Sequence, residues 1–214
     1  MIYIICGHYG SGKTEIAINL ALSLDNATII DLDIVNPYFR TADAKEKLES
    51  SNVRVITPQF ANTNIDMPTV PAEVFSALTG EGNIIFDVGG DDAGAIALGQ
   101  YNRFIKEKKY EVQFVINACR PMTENADDTI KLMREIEAAS RLKVTKLINN
   151  TNLKSETTKE IISDGQDLVN KVSDATGIPI GAVSGKKELL DTIKTDFPKL
   201  PLELHLDFPW ERGV

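Results

Sequence analysis

The chain has 214 residues, 31 of them acidic against 23 basic, for a formal net charge of −8. That length suits one large domain with its own core, and the charge repels phosphate backbones and anionic membrane surfaces alike, so nucleic-acid and membrane partners are not expected. Two cysteines, Cys6 and Cys119, do not make a disulfide framework, a zinc knuckle or a CxxC redox pair. No apolar run approaches the roughly 20 residues that span a bilayer, and no basic leader precedes the first apolar run, so a cytoplasmic location is expected.

Taken in order, residues 2–6 read as a strand and residues 13–24 as a helix with Ile16, Leu20 and Leu24 on one face. Further strands are expected at 28–32, 53–57, 84–88, 112–117, 144–148 and 179–183. Most are apolar without alternation, as in strands covered on both faces, which points to a parallel sheet. Helices are expected at 126–140 and at about 156–175, the latter opening on Thr157 and Glu160 at capping-box spacing and stopping at Gly177-Ile178-Pro179. Residues 58–71 form the longest irregular piece and read as a functional loop or cover ahead of a short apolar helix. The expectation is one α/β domain over 1–214, with three layers: a mostly parallel sheet of about seven strands and helices on both faces.

Between the first strand and the first helix stands Gly7-His8-Tyr9-Gly10-Ser11-Gly12-Lys13-Thr14, a match to G-x-x-x-x-G-K-[ST] in the strand–helix context that its chemistry needs. Glycines let backbone N–H groups curve around an anion, and the helix start adds the positive end of its dipole. Lys13 brings a cation and the Thr14 hydroxyl can ligate Mg²⁺. Residues 7 to 14, with Glu15 beside them, are thus expected to hold the phosphates of a nucleotide. Further Mg²⁺ ligands are expected from Asp33 and from Asp87, which closes an apolar strand ahead of Gly89-Gly90-Asp91. Of Asp31 and Asp33, at the end of the second strand, only one is expected to face the phosphates; Asp33, nearer the loop, is preferred.

Taken together, the glycine loop, the D-x-D of Asp31 and Asp33 and the D-V-x-G-D of residues 87–91 resemble the MinD, ParA, CobQ/CobB and nitrogenase-iron-protein class of P-loop ATPases (the SIMIBI class), over nearly the whole chain. "FDVGGDD" is most similar to the switch of the nitrogenase iron protein. The resemblance implies ATP and Mg²⁺ as cofactors, Asp33 orienting the attacking water, and Asp91 coupling phosphate loss to movement. Positioning and charge stabilisation would carry hydrolysis. It further implies a switch acting on a client protein and a nucleotide-dependent homodimer. Two positions depart from it. His8 stands where many members carry a lysine that reaches across the dimer, and Gly94 stands where the iron protein has a cluster-ligating cysteine. An iron–sulfur cluster is therefore not expected.

"INNTNL" resembles the guanine-binding N-K-x-D motif with Asn152 in place of the carboxylate, so Asn149, Asn150 and Asn152 are candidate base contacts and ATP is favoured over GTP. Ser184 and Gly185, after the last strand, resemble the loop that closes over the base. The alternative is an asparagine-rich turn. Other function classes are a small-molecule ligase or kinase similar to dethiobiotin synthetase, with Arg40 and Arg120 as cations for an acidic substrate, and a nucleoside-monophosphate kinase with "NRFIKEKKY" as its lid. That last segment reads better as a solvated helix face. The tail "LELHLDFPWERGV" reads as a packing or partner segment.

Overall fold

The structure, a computed structural model, describes residues 1–33, 41–57, 72–90 and 92–206. Among these, eight strands form one parallel sheet in the order β3-β2-β4-β1-β5-β6-β7-β8. They are β1 (Ile2–Gly7), β2 (Ala27–Leu32), β3 (Arg54–Ile56), β4 (Asn83–Val88), β5 (Tyr110–Ile116), β6 (Lys146–Asn149), β7 (Ile180–Gly185) and β8 (Lys199–Pro201). The helices are α1 (Lys13–Ser23), α2 (Lys45–Ser50), α3 (Ala72–Thr79), α4 (Asp92–Gln100), α5 (Asn102–Lys106), α6 (Ala126–Ser140), α7 (Lys159–Thr176) and α8 (Lys187–Thr192).

The unalternated apolar strands do lie between two layers. Ile4, Phe86 and Phe114 pack with Leu98 of α4, Met133 of α6 and Val169 of α7. Their chain neighbours Ile5, Ile85 and Val115 point the other way, onto Ile16 and Ala17 of α1 and Leu48 of α2. Each of these large side chains is wholly or almost wholly buried and is worth about 1.5–3 kcal/mol of transfer free energy. The same alternation decides where the acids go. Residues 29 and 85 face α1, so Asp31 and Asp87, two positions further on, face it too.

The count of seven strands is corrected to eight. β8 is a three-residue edge strand between Pro198 and Pro201, in register with β7 through Ser184 and Leu200. Its prolines conceal it in the sequence, yet proline is tolerated at a sheet edge because no further strand needs its missing N–H. The cap of α7 is corrected by one residue. Thr158, not Thr157, is the N-cap, accepting from the Ile161 amide at 3.4 Å. Thr157 instead accepts from the Leu153 amide and donates to the Lys154 carbonyl, closing the preceding turn. Gly177, at φ 70°, ends the helix.

The segment weighed as a kinase lid forms α5 and leads into β5. Arg103 and Lys106 are exposed, Ile105 is buried, and Lys108 Nζ donates to the Gly80 carbonyl. This places it where β1, β4 and β5 begin, at the edge of the sheet opposite the glycine loop, and so removes it as a lid. No helix among the described residues is long and apolar enough to cross a membrane. Residues 58–71, Arg40, Asp91 and the tail from 207 lie outside the described residues.

Candidate functional site

β1 delivers the glycine loop to the carboxyl edge of the sheet, and α1 starts at Lys13 with Gly12 as N-cap at φ 87° and no side chain capping it. The left-handed backbone at Gly12 suits glycine, and space demands it as well, because a Cβ there would collide with Asn150 Nδ2. The first N–H groups of α1 thus face an opening rather than a side chain, the condition for anion binding at a helix start. Lys13 is 6% exposed, and its Nζ donates to the His8 carbonyl at 2.9 Å, which arches the loop around the ammonium group.

Beneath the loop, Asp31 and Asp87 are opposite one another in neighbouring parallel strands, and both are buried. Thr41 donates to Asp87 Oδ2 at 2.9 Å, whereas Asp87 Oδ1 is buried without a hydrogen-bond partner among the described residues. Burial, and after it the Asp31 charge, push the Asp87 carboxyl up to about 7, against the lowering effects of Lys13, Thr14 and Thr41. Two abutting carboxylates with one oxygen unpartnered, beside the Thr14 hydroxyl, are a hard-oxygen donor set that fits Mg²⁺. Asp31 also accepts from the Asp33 amide at 2.9 Å, which turns the chain so that Asp33 lines the cavity above. Of the two acids, Asp33 is the one that lines the cavity, whereas Asp31 is buried opposite Asp87.

That cavity has a volume of about 520 Å³. His8, Tyr9, Gly10, Gly12, Lys13, Thr14, Glu15, Asp33, Asn150, Asn152 and Gly185 line it, as do Arg120 and Lys186. Gly7, Ser11, Asn149 and Ser184 do not reach it. Asn149 is fully buried, with Nδ2 donating to the Ile162 carbonyl and Gln166 Oε1, so it fastens β6 to α7. Ser184 donates to the Asn149 carbonyl and Asn150 Oδ1, and Asn150 Nδ2 donates to the Ser11 carbonyl at 2.7 Å. Asn150 therefore ties the glycine loop to β7. Replacing it by alanine is expected to cost about 1–3 kcal/mol of stability, because the buried Ser11 carbonyl loses its donor, and to weaken nucleotide binding; denaturant unfolding and calorimetric titration measure the two.

Asn152 lines the cavity, but its amide is turned inward. Its Nδ2 donates to the Asn150 carbonyl, and its Oδ1 accepts from the Lys154 amide. Burial, Lys13 and Arg120 hold the His8 imidazole below its usual range. Two features escaped the sequence reading. Arg120 Nε donates to the Gly10 carbonyl at 3.2 Å, and Glu15 is engaged by the tail. His205 and Leu206 donate their backbone N–H groups to the Glu15 carboxylate at 2.9–3.0 Å. Glu15 thus lines the cavity and also anchors the segment that follows β8.

A parallel sheet in this order, with a glycine loop between β1 and α1 and a buried carboxylate on the adjacent β4, makes a three-layer α/β fold. Solved structures with this fold include the cell division protein FtsY of Thermotoga maritima (TM-score 0.56, 19% identity, covering 92% of this chain and 65% of that one). Others are the signal recognition particle receptor FtsY of Elizabethkingia anophelis in complex with GDP (0.53, 16%, 86% and 56%) and the 54 kDa signal recognition particle protein of Aeropyrum pernix K1 in complex with GDP (0.51, 19%, 84% and 40%). The chain thus spans less than two thirds of the length of these proteins, and at such identities the likeness is one of fold. None of these three structures is of the MinD or ParA kind. No family model matches the chain, and no curated protein matches it.

Proposed function

We propose that this chain is an Mg²⁺-dependent nucleoside triphosphatase, with ATP as its nucleotide, that works as a switch on a client protein of the maturation, partitioning or positioning type. The observation that carries the reading is the stack of a buried Lys13 and an uncapped α1 directly above the Asp31–Asp87 pair. A polyphosphate would take the N–H groups and the ammonium. Mg²⁺ would be held by Thr14 and Asp87, near Asp33, and would supply neutralisation of phosphate charge. Asp33 would orient water at the cavity, and Asp91 would belong to the moving switch.

The FtsY and signal recognition particle structures in complex with GDP raise the question of the base. Support for ATP rests on Asn152. A carboxylate accepts both the N1–H and N2–H of guanine, whereas position 152 carries an amide, turned inward by its bonds to the Asn150 carbonyl and the Lys154 amide. Tyr9 and Met122, both exposed near the cavity, suit a nucleotide-dependent homodimer.

The test combines calorimetry with Mg²⁺ and either ATP or GTP, phosphate release with and without small carboxylic acids, and gel filtration with and without ATP. We expect ATP to bind at least about tenfold more tightly than GTP, a difference of about 1.4 kcal/mol, with slow release that small acids do not accelerate. Turnover on a small acid would replace the switch with a ligase or kinase similar to dethiobiotin synthetase, and tighter GTP binding would overturn the base assignment.

A further inference from the structure

The cavity extends well past the phosphate loop, and its far side is apolar. Leu202, Leu204 and Leu206, alternate residues of the segment that follows β8, all line it, as do Leu189 and Ile162. Alternation explains the arrangement. In an extended segment, side chains 202, 204 and 206 share one side, and residues 203 and 205 are left to meet α1 through their backbone.

Those backbone contacts are specific. Asn19 Nδ2 donates to the Glu203 carbonyl at 2.8 Å, and the Glu203 amide donates to Asn19 Oδ1 at 2.9 Å. One turn of helix earlier, the Glu15 carboxylate accepts from the amides of both His205 and Leu206. Two side chains of one face of α1 thus grip the segment as a neighbouring strand would. Leu202 and Leu206 rest partly on the core beneath α1, whereas Leu204 is 59% exposed although it lines the cavity. An exposed leucine held on a fixed backbone at the edge of the cavity offers an open apolar surface to whatever fills it.

We propose that the segment 202–206 is the wall of the base subsite, with Leu204 packing on the flat face of a purine ring and Glu15 and Asn19 acting as positioning residues that hold the wall in place. The inference rests on the nucleotide reading above and adds to it the element that contacts the base. The segment offers the ring apolar surface; discrimination between purines stays with the loop of Asn150 and Asn152.

Two ligands separate the phosphates from the base: Mg²⁺–ATP and Mg²⁺–tripolyphosphate, each titrated calorimetrically into the parent chain and into the variants Leu204→Glu and Glu15→Gln. Because Leu204 is exposed, its variant is expected to unfold at the same temperature as the parent in the absence of ligand. The expected result is an affinity for ATP reduced about tenfold or more in Leu204→Glu and less in Glu15→Gln, with tripolyphosphate affinity unchanged within about twofold. Equal losses for both ligands would assign the segment to the phosphate loop, and unchanged ATP affinity in Leu204→Glu would remove it from the site; either overturns the inference while leaving the nucleotide reading standing. A parent chain that binds neither ligand would overturn the nucleotide reading itself, and this wall with it.

Discussion

Lys13→Ala is expected to lose ATP affinity by roughly tenfold to a hundredfold and to remain folded. The ammonium group donates to the His8 carbonyl at 2.9 Å, and on the proposed nucleotide reading its larger work would be to face a polyphosphate of charge opposite to its own. A hydrogen bond to a charged group is worth about 1.5–3 kcal/mol, which converts to that range of affinity. The fold should tolerate the change because the core beneath the loop is built by Ile4, Ile5, Ile16 and Ala17, not by the lysine. Removing the cation should also raise the Asp87 carboxyl further, since Lys13 is one of the groups that lower it. Calorimetric titration and thermal unfolding of parent and variant measure both effects; ATP affinity kept within threefold would end the phosphate-cradle reading.

Asp87→Asn is expected to stabilise the ligand-free protein at pH 8 while abolishing Mg²⁺-dependent hydrolysis. Burial and Asp31 raise the Asp87 carboxyl from 3.8 to about 7. Between those two values the unfolded chain has released a proton that the folded chain still holds, so stability falls as pH rises from about 4 to about 7 and levels off above. Each unit of difference corresponds to 1.36 kcal/mol, so the full effect is on the order of 4 kcal/mol, and the asparagine is free of it. For a chain of this length the melting temperature at pH 8 should rise by about 5 °C or more, with a flatter pH profile. Mg²⁺ should act on the parent in the same direction, by balancing the paired charges, and not on the variant. Differential scanning calorimetry from pH 4 to 8, with and without Mg²⁺, gives all four curves; a variant less stable than the parent at pH 8 would show that the pair is not repulsive.

Much of the scaffold was legible because its determinants are contiguous. Unalternated runs such as Ile2–Cys6 announce a strand covered on both faces, and α6 occupies the expected span from Ala126 to Ser140 because its apolar period and the Asn125 cap are both local. The glycine loop was legible for the same reason, since backbone curvature, helix start and lysine occur within eight consecutive residues. β8 was not, because it exists only against β7. Nor was the wiring of Asn149, whose partners lie 13 and 17 residues away on α7.

By itself, the sequence determined the parallel three-layer architecture, the position of the loop between β1 and α1, and the acids at the ends of β2 and β4. These follow from periodicity, glycine conformation and short-range order, which act within a single segment. Only the tertiary structure decided that Asp31 abuts Asp87, that Asn150 fastens the loop to β7, that Arg120 rests on Gly10, and that Glu15 holds a chain end 190 residues away. Each of these depends on strand order and register, and those are set by packing between segments that carry no mark of one another in their own residues.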